Sequence, residues 1–310
     1  MKQRVITGIV YVFVMIGLLA LKIYVPVIEV KNGHLLDLGS IGVDLLFWAM
    51  SVIGADEFLR AVKEVSRKQW WVAIVTCALI TPAFVITKMF FRGFGSTHSS
   101  EASLIMLLSV TSVGMMVVAS LMVFDFENSS LKSTALAELC ILYCSVLTCV
   151  GPNINHLGQD PSLSRTAIML LFFITPGVDA FAFFFGKLLG KKIPLKLAPH
   201  TSPNKTVIGG IGGIIGGEFA AFLVWLVVEF LPGASFNYGG SLPTIAVLML
   251  IALPASIFAQ LGDLFESAIK RGCDIKDMGK LLPGHGGILD RFDSMLFASV
   301  AVVVCFMLIS

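Results

Sequence analysis

Long apolar runs separated by short polar clusters organise the whole chain. Continuously apolar segments occupy about 5–28, 41–59, 70–90, 103–124, 134–150, 165–186, 207–231, 243–262 and 294–309. Each approaches the roughly 20 residues that carry a helix across a bilayer core. None shows the strict alternation over about 10 residues that marks a strand of a membrane barrel. The breaks fall where turn formers and charges gather, as in KNGHLLDLGS, VKEVSRKQ, DFENSSLKS and GPNINHLGQDPSLS. The pattern predicts an all-α polytopic membrane protein of about nine transmembrane helices. An odd number of spans puts the two termini on opposite sides.

Composition agrees. Of 310 residues, 56% are hydrophobic and 14% charged, and the mean hydropathy is +0.90. A soluble domain carries about 25% charged residues, so this chain lacks the polar surface to stay in water alone. The opening Lys2 and Arg4 resemble a signal peptide. The apolar run behind them is too long for that and lacks a small-residue cleavage pattern, so it reads as a retained first span. With the N-terminus cytoplasmic, about 17 of the 22 Lys and Arg fall on the cytoplasmic side, as short loops require. Lys22 and Lys88, near the ends of their spans, are placed to snorkel to the interface.

Cysteines stand at 77, 140, 144, 149, 273 and 305, and all but Cys273 lie in apolar runs. Free cysteine there behaves as a small hydrophobe, and no second Cys/His pair has zinc spacing. The run GGIGGIIGGEF, starting at Gly209, repeats small residues at four-residue intervals. That spacing predicts close helix–helix packing; a phosphate-cradling glycine loop would want a following lysine that is missing.

The stretch from Gly262 to Asp293 is different. It holds Asp263, Glu266, Lys270, Arg271, Asp274, Lys276, Asp277, Lys280, Asp290, Arg291 and Asp293. Each charge at mid-bilayer costs roughly 2.5–3.5 kcal/mol, so the segment belongs in water or a hydrated cavity. Acids and bases are interleaved there, which suits a site holding both a hard cation and phosphates. Pro283-Gly284-His285-Gly286-Gly287 can turn sharply and approach a ligand closely; His285 is either loop filler or a substrate contact. Asp290 and Asp293, three apart at the expected start of the last helix, share a face beside Arg291.

The same stretch, SAIKRGCDIKDMGKLLPGHGGILDRFD, resembles the signature of the phosphatidate cytidylyltransferases, also called CDP-diacylglycerol synthases. The pattern is met at Ser267, Lys270, Arg271, Lys276, Asp277, Pro283, His285, Gly286, Gly287, Asp290, Arg291 and Asp293 without gaps. A dozen residues at fixed spacing is a specific signal. A second element is similar too: Asp179, then Gly186 to Gly190, then Ser202-Pro203-Asn204-Lys205-Thr206. Two positions depart from the family pattern, with Phe183 where tyrosine is usual and Ile208 where glutamate is usual. The likeness is sharp over about 180–206 and 260–293, and elsewhere rests on hydrophobicity.

The resemblance implies transfer of the cytidylyl group from CTP to phosphatidate, giving CDP-diacylglycerol and pyrophosphate for phospholipid synthesis. It implies Mg²⁺, with a second cation open, held by Asp263, Asp277 and Asp290. Lys205, Lys270, Arg271 and Asp290 then form the catalytic set, and Ser202, Lys276, His285 and Arg291 bind substrate. Asp179 belongs to the second element, and Asp293 is either a metal ligand or a charge favoured by the helix dipole. Residues 1–160 would supply about five N-terminal spans. Residues 161–310 would form the catalytic membrane region, with cytoplasmic loops 186–206 and 263–293. The expected partners are CTP, phosphatidate and membrane lipid, with a homodimer possible and no nucleic acid. The expected setting is a bacterial cytoplasmic membrane, with the active site facing the cytoplasm. A related enzyme for another lipid phosphate, a transporter and a non-catalytic scaffold are the rival readings. A transporter would place its ionisable residues near the middle of its spans, whereas most here lie at span ends.

Overall fold

The computed structural model describes residues 2–25, 27–30, 34–93, 98–158, 161–230, 243–282 and 286–309. Nine helices are present among them: α1 (Lys2–Tyr24), α2 (Leu38–Val62), α3 (Arg67–Gly93), α4 (Ser99–Phe124), α5 (Leu131–Asn155), α6 (Pro161–Leu189), α7 (Val207–Phe230), α8 (Thr244–Gly272) and α9 (Leu289–Ile309). All but α1 are long and apolar enough over their described residues to cross a membrane; α1 contributes the shorter apolar piece Val12–Tyr24. The polytopic all-α architecture is as the apolar pattern predicts. Two small antiparallel hairpins complete it, β1 (Val27–Val30) with β2 (His34–Asp37) and β3 (Lys196–Ala198) with β4 (Ser202–Thr206).

The helices outrun the apolar segments. Helix α8 continues through Gly272, so Asp263 to Arg271 are helical, and α9 already begins at Leu289. The described non-helical residues of the 263–293 stretch are therefore 273–282 and 286–288. Backbone hydrogen bonding propagates cheaply once a helix is nucleated, so charges on a polar face extend α8 rather than end it. Likewise α6 runs to Leu189, and β3–β4 gives the 186–206 interval a structure of its own. The first span ends at Tyr24, and the β-branched residues Val27, Ile28 and Val30 pair as a strand instead.

Contacts divide the chain into two compact units. The first comprises Met1–Asn153 with Asp277–Arg291, and the second Ile154–Lys276 with Phe292–Ser310. In the first unit α2 packs on α1, α3 and α5, and α3 packs on α4. Two buried lysines in it are paired. Lys22, 1% exposed, donates to Asp37 Oδ2 at 2.8 Å and to Ser40, and Lys88 donates to Asn153 Oδ1 at 2.6 Å. Both lysines are thus held inside the unit, where the sequence suggested snorkelling. Asp37 also caps α2, accepting the Ser40 N–H at 3.1 Å. Burial alone would push the Asp37 carboxyl up, but the Lys22 ammonium and the hydrogen bonds from Lys22 and Ser40 outweigh it and hold it below the usual range.

In the second unit α7 packs on α6 and α8. Gly209, Gly212, Gly213, Gly216 and Gly217 are all buried on α7. A Cβ on Gly216 would overlap the Gly177 carbonyl and Phe181, and one on Gly217 would overlap Ser256. The glycine run is therefore a packing face. Gln260 of α8 reaches across it, donating to the Gly210 carbonyl at 3.1 Å. Helix α9 closes on α8 where Phe265 meets Phe297 at 5.5 Å between ring centres, and Gly262 leaves room for the Asp293 carbonyl.

Candidate active site

In the second unit, the last two turns of α8 carry Asp263, Glu266, Ser267 and Lys270. Offsets of three, four and seven put all four on one stripe. Lys270 donates to Glu266 Oε2 at 2.5 Å, and Ser267 donates to Asp263 Oδ1 at 3.5 Å. The β3–β4 hairpin delivers Lys205, which forms an ion pair with Asp263 Oδ2. That hairpin is anchored at both ends. Thr206 Oγ1 accepts the Gly209 N–H at 3.1 Å, starting α7, and Arg271 Nε donates to the Thr201 carbonyl at 3.4 Å. Ser202, at the start of β4, pairs in register with Ala198 and is half-buried.

Asp293 of α9 is almost wholly buried, and its Oδ1 accepts the Ser294 N–H at 2.6 Å. Glu266 and Asp263 are both close enough to act on it electrostatically. Glu266 is 0% exposed. Among the described residues, its Oε1 receives no hydrogen bond from an N–H or hydroxyl. Three acidic side chains therefore stand beside two lysines, and burying more carboxylate charge than those lysines can pair would be expensive.

This donor set fits a hard divalent cation, which takes carboxylate oxygens and leaves positions for water and phosphate. Among the described residues no three acidic, histidine or cysteine side chains converge tightly enough to hold an ion as they stand. Lys205 and Lys270 occupy Asp263 and Glu266 instead.

In the first unit, residues 277–291 contribute a second polar arrangement. Asp290 Oδ2 accepts the N–H groups of Met278 and Gly287, each at 2.8 Å. Leu282 donates to the Gly286 carbonyl at 2.9 Å, and Gly286 adopts φ +86°, which disfavours any side chain. Glu57, buried on α2, accepts from Ile288 N at 3.0 Å and Leu289 N at 2.9 Å. A Cβ at Gly279 or Gly287 would overlap the Glu57 carboxylate. Gly279 and Gly287 thus admit an acid of the protein itself.

Lys276, in the second unit, and Asp277 and Arg291, in the first, are exposed, as is Arg271, whose Nη1 donates to the Ile275 carbonyl at 3.2 Å. Asp179 is exposed on α6, ten residues before that helix ends. Phe183 is exposed with the Lys187 ammonium 5.7 Å from its ring centre, and Ile208 lies half-buried in the first turn of α7. Pro283, Gly284 and His285 lie outside the described residues. Sequence reasoning passed over two site residues. Glu266 was legible from its spacing to Asp263 and Lys270; Glu57 showed only as an acid inside an apolar span.

The sequence profile of the cytidylyltransferase family matches residues 2–309. The chain is 33% identical over 302 residues to a phosphatidate cytidylyltransferase of Bacillus subtilis, covering 96% of this chain and 94% of that one. The chain belongs to the phosphatidate cytidylyltransferase family. Another member, from Staphylococcus aureus strain COL, is 43% identical over 181 residues, 58% of this chain and 62% of that protein. A member from Staphylococcus epidermidis strain ATCC 12228 is 37% identical over the same length. As a member of this family the protein is a nucleotidyltransferase, and its apolar helices make it an integral membrane protein.

Proposed function

We propose that the protein transfers the cytidylyl group of CTP to phosphatidate, releasing pyrophosphate and yielding CDP-diacylglycerol for phospholipid synthesis. The near full-length likeness to the Bacillus subtilis enzyme supports the substrates. The observation that carries the chemistry is the α8 stripe, where half-buried Asp263 pairs with Lys205 of the hairpin and buried Glu266 pairs with Lys270.

In this reading an oxygen of the lipid phosphate attacks the α-phosphorus of CTP. The bond from that phosphorus to the bridging oxygen of the β-phosphate breaks, and pyrophosphate leaves with the electron pair. Such transfers need positioning and charge neutralisation more than covalent help. Lys205, Lys270 and Arg271 neutralise CTP phosphates and the departing pyrophosphate. Ser202, Lys276, His285 and Arg291 bind substrate. Mg²⁺ held by Asp263, Asp277 or Asp290 would offset phosphate charge, and Glu266 and Asp293 are further donors of the right kind beside Asp263. The diacyl tails stay in the leaflet, since each exposed CH₂ costs about 0.8 kcal/mol. The basic-residue asymmetry supports a cytoplasmic membrane with the site facing the cytoplasm, where CTP is.

Lys205→Gln tests the reading. It removes a cation from the phosphates without removing bulk, so turnover should fall by about 10²–10³-fold, while the purified protein keeps its melting temperature. Near-normal turnover in Lys205→Gln would exclude the hairpin from the reaction.

A further inference from the structure

The residues that lead from Gly287 of the family signature into α9 are pinned by an acid from the other end of the sequence. Glu57 lies just over one turn before α2 ends at Val62. Its two oxygens divide two successive N–H groups, Ile288 on Oε1 at 3.0 Å and Leu289 on Oε2 at 2.9 Å. Leu289 is the first residue of α9, so the carboxylate sits where the helix dipole is positive. Charge-assisted bonds of this kind are about twice as strong as neutral ones.

The fit around the carboxylate is tight on both sides. Gly279 and Gly287 leave no space for a Cβ against Glu57, and Gly54 of α2 would bring one to 3.4 Å from Leu289 Cδ1. Gly287 is therefore fixed twice, by Glu57 against its Cα and by Asp290 Oδ2 on its N–H at 2.8 Å. The placement of Gly287, and through Asp290 that of Met278, depends on Glu57, because Asp290 Oδ2 accepts both N–H groups and Glu57 holds the two residues that follow Gly287.

We propose that Glu57 is a positioning residue for cytidylyl transfer, holding Gly287, Ile288 and the start of α9 so that Asp290 presents in the reactive orientation. The inference rests on the transfer reading above and on the part Asp290 plays in it. Glutamine at position 57 offers one acceptor and turns an N–H₂ toward the second backbone N–H, so it fills the space and breaks the geometry. Aspartate keeps the charge but is shorter by one methylene.

The test uses the full-length protein in detergent, with kcat, KM for CTP, KM for phosphatidate and melting temperature measured together. Glu57→Gln should lower kcat by about 10–100-fold, as expected when reacting groups are misplaced, with KM for phosphatidate within about twofold. Glu57→Asp should recover part of the loss. Gly279→Ala, which keeps the carboxylate but displaces it, should repeat the kcat pattern if Glu57→Gln proves too unstable to purify. Normal kcat per folded molecule in these variants, with only the melting temperature lowered, would overturn the positioning role. Asp290→Asn run alongside separates the two claims. If Asp290→Asn is inactive and the Glu57 variants are normal, the positioning role alone fails. Full turnover in Asp290→Asn would overturn the transfer role of Asp290 and the inference with it.

Discussion

Single side chains settle how charge is tolerated inside an apolar bundle. Lys22 is buried because Asp37 and Ser40 meet it, and the same Asp37 carboxylate starts α2. Its carboxyl lies below the usual range in the folded protein. The unfolded chain therefore binds the proton more readily, so Asp37 adds stability above about pH 4, lost as pH falls through the lower folded value. Replacing Asp37 by Ala should cost about 3–5 kcal/mol at neutral pH, since it removes the carboxylate that meets buried Lys22 as well as the cap. Thermal melts of both proteins should converge toward pH 3; an equal gap at every pH would contradict the linkage. None of this pairing was legible in sequence, where Lys22 looked like a residue free to reach the interface. A run of hydropathy reports length along the chain, and not which buried acid another element brings. Glu57 is the same case, since its partners Ile288 and Leu289 lie 231 and 232 residues away.

Elements were easier to read. The four-residue spacing of glycines from Gly209 marks a packing helix because small residues let backbones approach, and α7 uses that face against α6 and α8. Gly216→Leu should push α7 from the Gly177 carbonyl, which is backbone and cannot yield. A loss of about 1–3 kcal/mol, seen as a lower melting temperature, is expected. Gly17→Ala, where a Cβ would meet nothing within 4 Å, should be neutral or slightly stabilising. Equal effects of the two substitutions would argue against a packing role. The charged stretch was read in part. Its spacing identified the residues, yet Asp263 to Arg271 are the end of a helix, and it is helical periodicity that lines up Glu266 with Asp263 and Lys270. The apolar pattern stopped at residue 262 because it followed hydrophobicity, whereas the backbone follows hydrogen bonding.

At the scale of the molecule, the all-α membrane architecture was legible from apolar segments alone, and family membership from a dozen spaced residues. The grouping of Asp277–Arg291 with the N-terminal helices was not, because those residues come from the far end of the chain. Each unit holds its own part of the signature. Asp263, Lys270 and Lys205 are arranged in one, and the Asp290 loop in the other. The central claim is that these residues serve attack by a lipid phosphate on the α-phosphorus of CTP. The most direct measurement gives the purified protein phosphatidate, Mg²⁺ and CTP labelled at either the α- or the γ-phosphate, and follows the label into extractable lipid. The account predicts that α-label enters lipid only when phosphatidate is present, while γ-label leaves as pyrophosphate. Label in lipid from γ-labelled CTP, or nucleotide consumption indifferent to phosphatidate, would contradict it.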